Sequence, residues 1–437
     1  MKLWRLVIAC LFFLTQITLA QKPGVVSDTV LCKGSPDQTY ALYLPGSYSQ
    51  DKPVGLILFF DPGARGRMPV DLYKTIADKY SVILACSNNS RNGSVDASLR
   101  AGNAVLEDVL GKYNVDKRFM LLSGFSGGAR TAVDMATKNK IFAGIIACGA
   151  AFPTPEAIKM QNPIPFAEVI GQLDMNYQEA LRASEYLKMI HCPASLTLFY
   201  GGHQWPPVDA YEDAVAWHMF RSKKDTGAIE KKLARAKVQI DSGYLFEASI
   251  TLKPMLGTKR IDSLFSIVQK DRRTRPQAKE AEKVDALERQ MQQQFYYAYT
   301  RHLAYAAPDS AYHPKYWTNF RRDCGKMIEG DRYMKFAGLR LIDYGWRMPA
   351  EQHFFFMNEE QYRQAAMSAR IWALMMPANP NSCIQAAKAF ALQKRKPEML
   401  DYLRQALARG FKDKKALLTD PDFSEYSKDK AFLTLLN

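Results

Sequence analysis

Ser126 stands in Gly124-Phe125-Ser126-Gly127-Gly128, after the apolar run Arg118 to Ser123 and before a helix-like stretch, Ala129 to Lys138. A serine on a sharp turn from strand to helix, flanked by glycines that keep side chains clear, presents its hydroxyl as a nucleophile. Attack by that hydroxyl on a carbonyl carbon needs a base for the proton, a carboxylate to orient the base, and two N–H groups for the oxyanion. A G-x-S-x-G string also arises by chance, so it counts only if those partners occupy matching positions.

Each partner has a candidate. His203 lies in Gly201-Gly202-His203-Gln204-Trp205-Pro206-Pro207, directly after an apolar run that reads as a strand. His191 precedes that run, His218 falls within a helical pattern, and the remaining histidines lie far downstream. Asp174, in Gly171-Gln172-Leu173-Asp174, follows the run Phe166 to Ile170, one strand beyond the serine unit and one before the histidine strand. Asp134 sits inside a helical pattern, Asp209 opens a helix, and Glu168 lies within a strand. For the oxyanion, one donor is the N–H of Gly127, next to the nucleophile. The other is expected from the loop Phe60-Asp61-Pro62-Gly63-Ala64-Arg65-Gly66, at Gly63 or Ala64. The run Ser87-Asn88-Asn89-Ser90-Arg91-Asn92-Gly93 follows the next strand and offers amides to a substrate. Asn88 and Asn89 are the candidates there, with Trp205 beside the histidine.

These residues need a scaffold that brings loop ends together. From Asp28 to about Lys224, short apolar runs alternate with amphipathic ones. Strands are expected at Thr29 to Cys32, Tyr40 to Leu44, Gly55 to Phe60, Val82 to Cys86, Phe119 to Gly124, Phe142 to Cys148, Phe166 to Ile170 and Ser195 to Tyr200. Helices are expected at Asp71 to Tyr80, Ala97 to Tyr113, Ala129 to Lys138, Tyr177 to Met189 and Asp209 to Lys223. A hairpin followed by β-α alternation predicts an α/β fold, a mostly parallel sheet with helices on both faces and ligands beyond the strands' carboxyl ends.

The order Ser126, Asp174, His203, spread over successive strands, is the order of the α/β-hydrolase superfamily, which residues 28 to 224 resemble. The chain is most similar there to compact secreted esterases of the polyhydroxyalkanoate depolymerase, feruloyl esterase and acetylxylan esterase kind. The resemblance implies a serine carboxylic-ester hydrolase; no cofactor or metal is expected, and the small lid that follows suits short-acyl esters of a bulky alcohol such as a polysaccharide. A serine peptidase, or a binding protein with an inactive hydrolase half, remains an alternative. Where many lipases carry His-Gly-Gly-Gly, this chain has Asp61-Pro62-Gly63-Ala64. The short stretch Ala150 to Pro163 leaves room only for a small lid.

After Asp225 the pattern is helical throughout. Ala228 to Asp241 and Tyr244 to Leu256 form a pair broken at Ser242-Gly243, Ala281 to Tyr305 is one long amphipathic run, and Ser382 to Leu392 pairs with Pro397 to Arg409 before Gly410. Such pairs predict an all-α, tetratricopeptide-like solenoid with Ala386, Ala387, Leu392, Leu400, Leu403 and Leu407 facing inward. Phe295-Tyr296-Tyr297 and His353-Phe354-Phe355-Phe356 read first as core and second as a sugar-binding groove.

Charge separates the halves: Lys plus Arg against Asp plus Glu is 21 to 20 in residues 21–225 and 36 to 24 in 226–437, within a net charge of +15. The basic half suits an acidic glycan or a protein partner, and nucleic acid is not expected of an exported chain. Export is read from residues 1–20, a positive start followed by an apolar run ending at Ala20, as in a cleaved signal. Lipidation at Cys10 is the lesser alternative, and no later run spans a bilayer. The expected organisation is therefore a signal at 1–20, a catalytic domain at 21–225 and a helical domain at 226–437. The six later cysteines are spaced too widely for a metal site and read as buried thiols.

Overall fold

The computed structural model describes residues 21–152, 163–222, 227–304 and 313–436. The expected signal segment, Cys10 and most of the short stretch after Ala150 lie outside the described residues.

Eight strands form one sheet: β1 Val26–Cys32, β2 Ser35–Tyr43, β3 Val54–Phe60, β4 Val82–Ser87, β5 Val115–Phe125, β6 Gly144–Cys148, β7 Phe166–Gly171 and β8 Ala194–Phe199. Their order is β1-β2-β4-β3-β5-β6-β7-β8. The β1–β2 hairpin joins antiparallel, β2 meets β4 antiparallel, and all later pairings are parallel. Every residue of β3, β4, β6 and β7 is buried, which is why these strands read as mostly apolar runs, with Glu168 on β7 an exception.

Helices cover both faces. α1 (Arg67–Tyr80) and α5 (Val208–Arg221) pack Tyr73, Tyr211 and Trp217 on one side, over Phe59 and Val169. α2 (Val95–Lys112) and α3 (Gly127–Lys138) pack Val105 and Val133 on the other, over Phe60 and Leu122. α4 (Tyr177–Met189) links β7 to β8. Parallel registers such as Phe60↔Gly124, Phe125↔Cys148 and Gly171↔Phe199 end the inner strands along one edge, so the loops after β3, β5, β7 and β8 converge there.

The remaining elements are helical: α6 Gly227–Asp241, α7 Leu245–Leu252, α8 Lys259–Lys270, α9 Thr274–Ala304, α10 Pro314–Ile328, α11 Arg332–Asn358, α12 Tyr362–Met375, α13 Pro380–Leu392, α14 Lys396–Ala408, α15 Lys414–Thr419 and α16 Lys430–Leu436. The expected break at Ser242-Gly243 is present, with Gly243 at φ +80°, and Gly410 follows α14 at φ +92°; both are left-handed conformations that suit glycine. α9 starts seven residues before the expected Ala281, at Thr274. Ala386, Ala387, Leu400 and Leu403 are buried as expected, whereas Leu392 and Leu407 are only half-buried. Of the aromatic clusters, Phe295 and His353 are core, while Tyr296, Tyr297, Phe354 and Phe355 are exposed.

The pattern changes from α/β to all-α between α5 and α6, yet the core crosses that change. Ala228, Ala236, Leu245, Leu252, Ile261 and Val268 belong to the same apolar cluster as Trp217, Tyr211 and Phe59. Lys232 on α6 is buried with its ammonium 3.0 Å from Asp213 on α5, an ion pair inside that shared layer. Helices α6 to α8 thus complete one face of the sheet. Among the described residues no helix is long and apolar enough to cross a membrane. Cys32, Cys86, Cys148, Cys192, Cys324 and Cys383 are buried and unpaired.

Candidate active site

The turn between β5 and α3 is built by contacts that only glycine permits. A Cβ on Gly124 would lie 2.2 Å from the Gly128 oxygen, and one on Gly128 would lie 2.0 Å from the Phe60 carbonyl oxygen. Both are backbone atoms that cannot step aside, so the two glycines let α3 start directly against the ends of β5 and β3. Between them Ser126 takes φ +53° and ψ −121°, a conformation a side chain adopts only when its surroundings impose it. Its N–H donates to the Cys148 carbonyl at 2.8 Å, and its own carbonyl accepts from Ala129 at 3.0 Å.

His203 reaches this serine from the loop after β8, with Nε2 2.9 Å from Ser126 Oγ. Its Nδ1 is 2.9 Å and 3.0 Å from the two carboxylate oxygens of Asp174. With Nδ1–H donating to the carboxylate, Nε2 is the free acceptor for the serine hydroxyl. Asp174 is fully buried, and its Oδ1 also accepts from the Asn176 N–H at 2.8 Å. The two loops are laced together: Gln172 N–H donates to Phe199 O and Leu173 N–H to Gly201 O. A Cβ on Gly171 would lie 2.2 Å from the Gly201 oxygen, so that glycine too is required by close approach. The structure therefore brings Ser126, His203 and Asp174 into one hydrogen-bonded line.

The expected oxyanion and substrate residues fare differently. The Gly127 N–H opens α3 and meets no acceptor among the described residues, so it is free to donate. Gly63 and Ala64 are not: Gly63 N–H donates to Asp61 Oδ1 at 2.8 Å and Ala64 N–H to Asp61 O at 3.1 Å. Asp61 gathers this loop onto itself and also accepts from the Arg65 guanidinium and Trp205 Nε1. Burial alone would raise its carboxyl, but these hydrogen bonds hold it below the usual carboxylate range. Trp205 is accordingly a core residue, buried against Phe59, Tyr73 and Phe125, and no substrate contact. Asn88 and Asn89 are also engaged, donating to Asp28 O and Asp37 O, and Asn89 Oδ1 accepts from Thr39 N–H. They fasten the β1–β2 hairpin to β4.

The residue of that run which faces the elbow is Asn92. Its carboxamide packs against Gly127, so closely that a Cβ there would lie 1.8 Å from Asn92 Oδ1, and its N–H donates to Pro62 O. Nothing local in the sequence separates Asn92 from Asn88 and Asn89. An open hollow of about 960 Å³ contains Ala64, Arg65 and Asn88 but no member of the Ser–His–Asp line.

The helical half reaches the acid loop from both sides. Arg340 on α11 donates from Nη1 to Gln172 O at 2.8 Å, and Gln292 on α9 donates to Met175 O at 3.3 Å, so the carbonyls bracketing Asp174 are both held. Arg340 is itself fixed by Glu288 and by the Tyr177 ring, 4.2 Å from its guanidinium carbon. Gln178 bridges to Asp285 and Glu288. Burial pushes the Asp285 carboxyl up to about 6. One turn further along α11, Asp343 pairs with Arg347 at 2.9 Å, and beyond them lies Glu351, whose residue surface is open although neighbouring protein packs around its carboxyl. Asp343 and Glu351 both lie within electrostatic reach of His203, and protein packed around each carboxyl raises it. Arg340, Gln292 and this face of α11 carry no motif that marks them in the sequence.

A mostly parallel sheet with a serine turn after β5, a carboxylate after β7 and an imidazole after β8, joined in one hydrogen-bonded line, is the arrangement that serine hydrolase chemistry requires. No known family pattern and no curated protein matches the chain. Among solved structures it is similar to S-formylglutathione hydrolase (FrmB) from Staphylococcus aureus, at 16% identity over 46% of this chain and 99% of that one, TM-score 0.36. It is also similar to esterase B from Lactobacillus rhamnosis, at 14% identity over 48% and 91%, TM-score 0.39, and to a ferulic acid esterase, at 16% identity over 45% and 96%, TM-score 0.36.

Two predictions follow from the supports of the acid. Arg340→Lys keeps the charge but loses the fork between Glu288 and Gln172, and it is expected to slow fluorophosphonate labelling of Ser126 on the order of tenfold to a hundredfold. An undiminished rate in the folded variant would show that the acid loop holds itself. Glu168, under the site on β7, is fully buried, and burial, with the charges of Glu179 and Asp174, pushes its carboxyl well above the ordinary value. The folded state therefore keeps a proton that the unfolded chain releases near pH 4, and this contribution to stability declines as pH rises from there towards the folded value. Glu168→Gln should flatten that decline in urea denaturation run across pH, whereas a steeper one would place a charge on Glu168.

Proposed function

We propose that this chain is an exported serine carboxylic-ester hydrolase acting through an acyl-enzyme. The observation that carries this reading is the unbroken line from Ser126 Oγ through His203 to the buried Asp174 carboxylate, each step at about 2.9 Å. Ser126 Oγ attacks the ester carbonyl while His203 Nε2 takes its proton, and Asp174 stabilises the imidazolium that results. The tetrahedral oxygen receives the Gly127 N–H and, on rotation of its carboxamide, an N–H of Asn92. Collapse breaks the C–O bond, and His203 returns the proton to the departing alcohol. Water, deprotonated by the same imidazole, then releases the acid.

Short-acyl esters of a bulky alcohol suit a site walled on one side by α11. The helical half is read as a tetratricopeptide-like stack, supported by α12, α13 and α14, which pack in succession and have 14, 13 and 13 residues. Its excess of cations suits an acidic glycan or protein partner.

Ser126→Ala is expected to lower hydrolysis of a short-chain chromogenic ester on the order of 10⁴-fold or more with the fold intact. Retained turnover, or faster cleavage of dipeptide amides than of esters by the native protein, would overturn the ester reading. Asn92→Ala is expected to lower kcat on the order of a hundredfold with little change in KM, as loss of one oxyanion donor does. An equal rise in KM with kcat preserved would make Asn92 a ground-state contact instead.

A further inference from the structure

A groove of about 710 Å³ runs between α4 and the helices α9 and α11, within the size range of sites that hold small organic ligands. It lies behind the acid loop, and its lining includes no member of the Ser–His–Asp line. Asn176, in its wall, donates its backbone N–H to Asp174 Oδ1 and its carboxamide to Gly149 O, the carbonyl one residue beyond β6. The opposite wall is Arg289, Gln293 and Tyr296 of α9, with Tyr344 of α11 closing one side and Arg182 of α4 the other.

Its chemistry is uneven in charge. The one carboxylate in the lining, Glu179, is taken by Arg130 and by the Ala151 N–H. Arg182 is exposed, and among the described residues neither it nor Arg289 has a carboxylate at ion-pair distance; Arg289 donates only to the neutral Gln178 Oε1. Two guanidiniums thus face the groove without an acid. Tyr296 is 55% exposed on the same wall, and Tyr344, pushed up to about 12 by burial, lies within electrostatic reach of both Tyr296 and Arg182. Guanidiniums bind carboxylates through paired N–H bonds, amides bind vicinal hydroxyls, and a free tyrosine ring offers a flat apolar face with a polar rim. A long acyl chain would leave both guanidiniums without a partner. A peptide would find no open strand edge, because the walls are helix side chains.

We propose that this groove binds an acidic saccharide, a uronate-bearing chain that forms the alcohol part of the ester, with Arg182 and Arg289 on the carboxylate and Tyr296 under a sugar ring. The assignment rests on the ester-hydrolase reading of Ser126.

The test is calorimetric titration of the full-length Ser126→Ala protein with a galacturonate tetrasaccharide, its carboxyl-reduced neutral counterpart, and short polyglutamate. Saturable binding of the uronate is expected, weakened on the order of tenfold by Arg182→Gln and further by adding Arg289→Gln, with the other two ligands weaker by at least that factor. No uronate binding, binding indifferent to the arginine substitutions, or equal binding of the neutral saccharide would overturn the proposal. Equal binding of polyglutamate would overturn it in favour of an acidic peptide. Chromogenic ester hydrolysis by the native protein is read alongside. Normal hydrolysis without uronate binding removes the saccharide assignment alone, and absent hydrolysis removes the ester-hydrolase reading on which it rests.

Discussion

Backbone packed against backbone at the carboxyl edge of the sheet is the constraint on which the site depends. Gly128 on the Phe60 carbonyl, Gly124 on Gly128 and Gly171 on Gly201 bring three loops closer than any side chain would allow. That closeness leaves Ser126 no ordinary conformation, sets the Gly127 N–H beside it, and lets the loop of Asp174 bond directly to the loop of His203. The catalytic distances follow from this packing. A methyl group at any of the three positions would have to move a strand end or a loop, and the line from serine to carboxylate would lengthen with it.

A second layer of support comes from outside the sheet. The acid loop is short and has few apolar anchors of its own, so its geometry relies on hydrogen bonds to its carbonyls, and two of these come from α9 and α11. Arg340 is held in turn by Glu288 and Tyr177, which makes the contact a buried polar network rather than a surface touch. Such a network is stiff only while every member is satisfied. The helical half is therefore part of the site in two ways, as a brace for Asp174 and as the wall that carries Asp343, Arg347 and Glu351 towards His203.

How much of this could be read from the sequence depended on how local each cause is. The inner strands were legible because strands buried on both faces are mostly apolar, and β3, β4, β6 and β7 are, Glu168 on β7 and Ser87 at the end of β4 apart. Ser126, Asp174 and His203 were legible because each follows such a strand. The loop residues were not. Asn88 and Asn89 look as free as Asn92, but Ser87 Oγ accepts from the Asn89 and Ser90 N–H groups and turns the first two amides back onto β2. Gly63 and Ala64 look free until the Asp61 carboxylate is seen to close the loop. Arg340 could not be found at all, since its meaning lies in a carbonyl 168 positions earlier in the chain.

The core that crosses from α/β to all-α bears on the order in which the chain can fold. The layer over this face of the sheet, begun by α1 and α5, is completed by α6, α7 and α8, and its last buried residue is Val268. During synthesis from the amino terminus the strands, the nucleophile and the base all emerge while that layer is still incomplete. The apolar layer of the first half is therefore continuous with helices encoded after it. Until those helices are made, Trp217 and its neighbours keep part of their apolar surface in water.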